Sequence, residues 1–146
     1  MPSALKKSAS EPDEKQAILD KLGDLSQVQI AQNELLVAIY VRPEFAPGGM
    51  IALTHKTRKE DIYQGKVGLV VKIGSACRFE RYDAERNVTY GIPIELHDWV
   101  VTRPSDTWAL DFNPAGTAYD PEKSITCRLV FDDQIRMKIP SPSMVW

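Results

Sequence analysis

Histidine and cysteine are scarce in this chain: His55, His97, Cys77 and Cys127 are all that its 146 residues hold. Neither histidine stands at metal-ligand spacing from the other or from a cysteine, so the sequence implies no metal centre. Two thiols so far apart make no disulfide scaffold, and a reducing compartment is the expectation. An excess of one charge is lacking too. Eighteen Lys+Arg against twenty Asp+Glu leave a net charge of −2. Phosphate binding needs positive charge concentrated on one face, so no nucleic-acid partner is expected, and no polybasic membrane anchor. No apolar run is long enough to span a bilayer. The opening residues, Met1 to Ser8, lead straight into Glu11, Asp13 and Glu14. Without an apolar core, that stretch predicts no secretory signal.

What is present fits one globular domain. Hydrophobic residues make up 43% and charged residues 26%, a balance that supports a buried core. The first aromatic residue is Tyr40, and the stretch before Val28 is dense in mixed charge. Ser10 as N-cap, Pro12 in the first turn and Gly23 as a stop predict one short helix there. Ile18, Leu22 and Leu25 fall at i, i+4 and i+7, a narrow apolar stripe. So short a helix is marginal alone in water and must dock to persist. Residues 1–27 therefore read as an arm whose stripe meets a partner.

From Val28 the period is two. Leu35 to Val41 predicts a strand buried on both faces, ended by Arg42-Pro43. Val67, Leu69, Val71 and Ile73 predict a half-buried strand stopped by Gly74. Trp99–Thr102, Trp108–Phe112, Cys127–Phe131 and Ile135–Ile139 predict further short strands, the last two joined by an Asp132-Asp133-Gln134 turn. Short strands separated by Gly-, Pro- and Asp-rich loops indicate a small all-β barrel or sandwich over residues 28–139. Phe79 to His97 reads as an excursion or hairpin. Residues 140–146 read as an extended tail, in which a Pro-Ser-Pro-Ser spacer carries Val145 and Trp146 as an apolar peg for a neighbouring subunit.

An enzyme reading finds little to use. Gly74-Ser75-Ala76-Cys77 lacks the second glycine of a nucleophile elbow. Gly48-Gly49 is not followed by the Gly-Lys-Ser/Thr of a phosphate loop. Cys77 and Cys127 read as small hydrophobes. No catalytic residue and no cofactor is expected. The one conspicuous segment is Pro47-Gly48-Gly49-Met50-Ile51-Ala52-Leu53-Thr54. Its glycine pair frees the backbone. The apolar run that follows is either a strand closing the barrel or a hook for a partner's groove.

The Gly-Gly-apolar loop followed by Gln64-Gly65-Lys66-Val67-Gly68-Leu69-Val70-Val71-Lys72-Ile73-Gly74 resembles the GroES co-chaperonin family. His97-Asp98-Trp99-Val100-Val101 is similar to its Gly-Asp-x-Val-apolar strand, and Cys127 to Ile135 to its closing hairpin. The resemblance spans about residues 33–139. It implies a small antiparallel GroES-like β-barrel with long loops, assembled into oligomers. It also implies a mobile loop hinged at Gly48 and Gly49, touching a chaperonin through Ile51, Ala52 and Leu53 or through Met50, Ile51 and Ala52. Ala52 weakens that hook, and residues 75–97 and 103–125 follow another pattern. With Trp99 and Trp108 flanking Arg103-Pro104-Ser105-Asp106, the chain is most similar to the divergent GroES-like proteins of tailed phages. The function this implies is non-enzymatic: a virion component, such as a capsid cement, decoration or head-to-tail protein. It would bind other copies or a neighbouring capsid protein through Ile18, Leu22, Leu25, Met50, Ile51, Leu53, Val145 and Trp146. The implied location is the virion, or the host cytoplasm during assembly. The alternative is a cytoplasmic co-chaperonin that caps a chaperonin through Gly48 to Leu53.

Overall fold

The computed structural model describes residues 14–41, 65–113 and 117–145. Within them, β-branched and aromatic runs form the strands of one antiparallel sheet. These are β1 (Glu34–Ile39), β2 (Val67–Ile73), β5 (Trp99–Val101), β6 (Trp108–Phe112), β7 (Ile125–Phe131) and β8 (Met137–Ile139). Their order is β6-β7-β1-β2-β5-β8. Two further strands, β3 (Glu80–Asp83) and β4 (Val88–Gly91), pair only with each other. The mostly-β expectation holds. A closed barrel does not follow, because among the described residues β6 and β8 end the sheet and no ladder joins them.

The central strands are covered on both faces. One face carries Leu36, Ala38, Tyr40, Val67, Leu69, Val71, Trp99 and Cys127. The other carries Leu35, Val37, Val70, Val100 and Val130, packed with Ile94, Cys77 and Phe79. A register shift between Leu36 and Val37 lets β2 fit one extra residue, since Leu36 faces Lys72 while Val37 faces Val70. Such a bulge increases local twist. It also brings Val71 and Leu36 into the same core.

A helix, α1, covers the first face over residues 14–22. Here the structure corrects the expectation for the arm. Leu22, read as a contact for a partner, is 1% exposed in the chain's own core, and Ile18, Leu19 and Leu25 pack against the same cluster. The reason is adjacency. The helix must bury its stripe somewhere, and the nearest apolar surface is the β1–β2–β5 face beside it. It is tied to the sheet as well, where the Tyr40 hydroxyl donates to Glu14 Oε1 at 3.1 Å.

The tail is corrected in the same way. Pro142–Met144 forms a turn of 3₁₀ helix in place of an extended spacer, and the Ser141 hydroxyl accepts from the Ser143 N–H. Ser141 and Pro142 are buried. Val145, expected on a neighbouring subunit, packs against the α1-side core. Trp146 lies outside the described residues, as do Gly48, Gly49, Met50, Ile51 and Leu53.

Candidate functional site

The β3–β4 hairpin forms because Asp83 ends its first strand. The Asp83 Oδ1 accepts from the Glu85 N–H at 3.0 Å and the Arg86 N–H at 3.3 Å. Asn87 then takes a left-handed conformation, φ 54°, which Asn tolerates better than most residues. At the base of the hairpin Gly91 has φ +114°, and a Cβ there would collide with the Phe79 carbonyl. Only glycine fits both conditions.

Arg81 faces Tyr90 and Tyr82 faces Thr89 across the hairpin. Since directly opposed residues share a face, the two tyrosines lie on opposite sides of it. Both sides are largely exposed: Tyr82 is 63% exposed and Tyr90 56%, with Val88 and Ile92 also exposed. A two-stranded hairpin gains little stability on its own in water. Two open aromatic side chains on such an element form a contact surface of the kind tyrosine serves at interfaces.

Beneath the hairpin lies a half-open cavity of about 230 Å³, lined by Arg78, Phe79, Arg81, Tyr90, Asp132 and Asp133 among others. Asp132 belongs to the β7–β8 connection, Asp132–Gln134, a single 3₁₀ turn. It accepts from the Arg78 N–H at 2.8 Å and is nearly buried. Its carboxylate therefore ties the hairpin's entry strand to the main sheet. The groove offers mixed charge and aromatic walls. The neighbouring Cys77 thiol is spent on the Glu34 carbonyl, at 3.3 Å, and burial pushes its pKa up, which disfavours the thiolate a nucleophile needs. His97 is exposed, in a left-handed turn at φ 70°. Among the described residues no three His, Cys, Asp or Glu side chains gather in a way that would hold a metal ion. No helix among them is long and apolar enough to cross a membrane.

Cys127 sits at the centre of β7 with its side chain wholly buried. Burial first, and then the charge of Asp111, push its thiol from an ordinary value near 9 up to about 12. The unfolded chain loses this proton near pH 9 while the folded chain keeps it. Stability is therefore full below pH 9 and falls as pH rises toward about 12, by at most about 1.4 kcal/mol per pH unit. Urea unfolding of the native chain and Cys127→Ala at about pH 8 and about pH 10.5 checks this. The native chain is expected to lose more stability between the two than the variant does. Equal losses would refute the assignment.

Another exposed feature escaped sequence reasoning. Trp108, at the start of β6, is 67% exposed. Alternation places it on the α1 side of the sheet, opposite Leu129, but α1 covers the central strands. Of the residues expected to touch a partner, Ile18, Leu22, Leu25 and Val145 serve the core. Exposed apolar side chains are found instead on the hairpin (Tyr82, Val88 and Tyr90) and on the sheet edges (Trp108 and Met137), among other places. No protein-family model and no curated protein matches the chain.

Proposed function

We propose that the chain is a non-enzymatic assembly protein, a GroES-like β domain that serves as a cement, decoration or head-to-tail component of a tailed-phage virion. The observation that carries this reading is the β3–β4 hairpin, exposed on both faces and bearing Tyr82, Val88 and Tyr90. A soluble monomer gains nothing from such an element. A protein that must grip a neighbouring subunit gains an amphipathic anchor whose rings lose little conformational entropy on docking. The core behind it is covered on both faces, a rigid base from which the hairpin projects. The order of strands β1, β2, β5, β7 and β8, with the short Asp132–Gln134 turn near the end, supports the GroES-like part of the reading.

Quantitative mass spectrometry of particles purified from the cells that encode the chain tests the proposal. The expected result is a stoichiometric component of the particle. Tyr82→Ser/Tyr90→Ser should lower its incorporation at least about tenfold, the effect of losing an interface anchor worth more than 1 kcal/mol. Both side chains are exposed, so the melting temperature should barely move. Absence from particles would overturn the virion assignment. A ring that co-sediments with a chaperonin would favour the co-chaperonin alternative.

A further inference from the structure

The two edges of the sheet are defended unequally. β8 is three residues long, carries Lys138 and runs into Pro140. A short strand, a lysine and a proline are the usual means of blocking edge-to-edge pairing. β6 is five residues long and has neither lysine nor proline. Outside its ladder with β7, residues 108–112 make no backbone hydrogen bond among the described residues. Alternate N–H and C=O groups of β6 therefore point away from β7 and meet no backbone partner among the described residues.

The sequence of that edge is close to symmetric about its middle: Trp108, Ala109, Leu110, Asp111, Phe112. Large apolar residues occupy both ends and the centre, and small or acidic residues lie between them. We infer that β6 pairs antiparallel with β6 of a second copy of this chain, centred on Leu110, so that one sheet runs through a two-fold dimer. Such a register places Trp108 against the partner's Phe112 and Leu110 against the partner's Leu110. All of them lie on the α1 side, where Phe112 already packs on the core. On the other face Ala109 meets the partner's Asp111. Asp111 carboxylates thus avoid each other, and each lands one strand beyond Ala109, on the face that holds Arg128. Arg128, whose Nη1 donates to Thr107 Oγ1 at 3.0 Å, and the partner's Asp111 are then about 10 Å apart between strand axes, with Ala109 on the strand between them. Opposite charges follow one another along the row, which favours this register over one that stacks the aspartates. An isologous pairing also closes on itself and leaves no edge for further growth beyond the guarded β8 strands.

The pairing builds on the assembly reading by naming one partner as a second copy. Sedimentation of the full chain over about 1–500 µM tests it, since an interface this small belongs to the weak class, below about 1,200 Å². The expected result is a reversible monomer–dimer equilibrium. Trp108→Lys should weaken it at least about thirtyfold, with circular dichroism and melting temperature unchanged because the side chain is largely exposed. In a Cys77→Ser/Cys127→Ala background, which also removes the thiol opposite Leu110 on β7, Leu110→Cys should form a disulfide with its own copy under mild oxidation, and Met137→Cys on β8 should not. A chain that stays monomeric at every concentration overturns the inference. So does a dimer that Trp108→Lys leaves intact, or a larger ring that cross-links through Met137→Cys. A monomer that still needs Tyr82 and Tyr90 to enter particles would refute the self-pairing and leave the assembly reading standing.

Discussion

Replacing Leu22 with aspartate is expected to unfold most of the molecule's margin of stability. Leu22 is 1% exposed among Leu36, Leu69 and Trp99. A carboxylate there has no cation within the cluster to pair with. An uncompensated buried charge costs about 3–5 kcal/mol, against a total of about 5–15 kcal/mol for a domain. Urea unfolding followed by circular dichroism should show a large fall in midpoint. Leu22→Ala should lie between the two, at about 2–5 kcal/mol. Truncation before Gly23 should give a chain that exposes the whole α1 face of the sheet and aggregates. An unchanged midpoint in Leu22→Asp would mean that α1 does not cover the sheet.

The second large effect is expected at Trp99. Its indole is the largest fully buried side chain, and Tyr40 meets it edge-on with ring centres 5.6 Å apart and planes at 82°. Trp99→Ala removes the contact area and leaves a cavity, so about 3–5 kcal/mol should be lost. Trp99→Phe should cost much less. The indole N–H is buried with no hydrogen-bond partner among the described residues, and phenylalanine removes that orphan donor together with part of the ring. The native fluorescence provides a second readout. Trp108 is mostly exposed, so loss of Trp99 should shift the native emission to longer wavelength. A Trp99→Ala chain as stable as the native one would place the hydrophobic core elsewhere.

Sequence reasoning was strongest where one strand's own residues decide the outcome. Alternation set β2 at Val67–Ile73 and β6 at Trp108–Phe112, and the structure has the same bounds. Charged residues interleaved with several β-formers marked Phe79 to His97 as an excursion or hairpin, and β3 and β4 form the hairpin there. Reasoning failed where the answer depends on a distant neighbour. The spacing of Ile18, Leu22 and Leu25 shows that the helix needs a cover, and nothing in the spacing says whose. The same holds for Val145. Closure of a sheet depends on whether its outermost strands meet, and alternation looks alike at an edge and in the middle. Trp108 was therefore legible as a strand residue and invisible as an exposed one. Tyr82 and Tyr90 were hidden for the same reason, since a largely exposed hairpin reads like one packed on a core.

Strand β1 lies between β2 and β7, and this order has a consequence during synthesis. Glu34 pairs with Phe131, so the first strand made waits for one of the last. A ribosome adding about 5–20 residues per second needs roughly 5–20 s to cover that interval. Once β2 has been made, Leu35, Leu36 and Val37 have it on one side and still lack β7 on the other. Long loops must also close before β7 is rewarded for arriving, which makes the final pairing slow. The nascent chain is thus most prone to aggregation just before β7 emerges, and it is in that interval that a cellular chaperone would find a substrate in it.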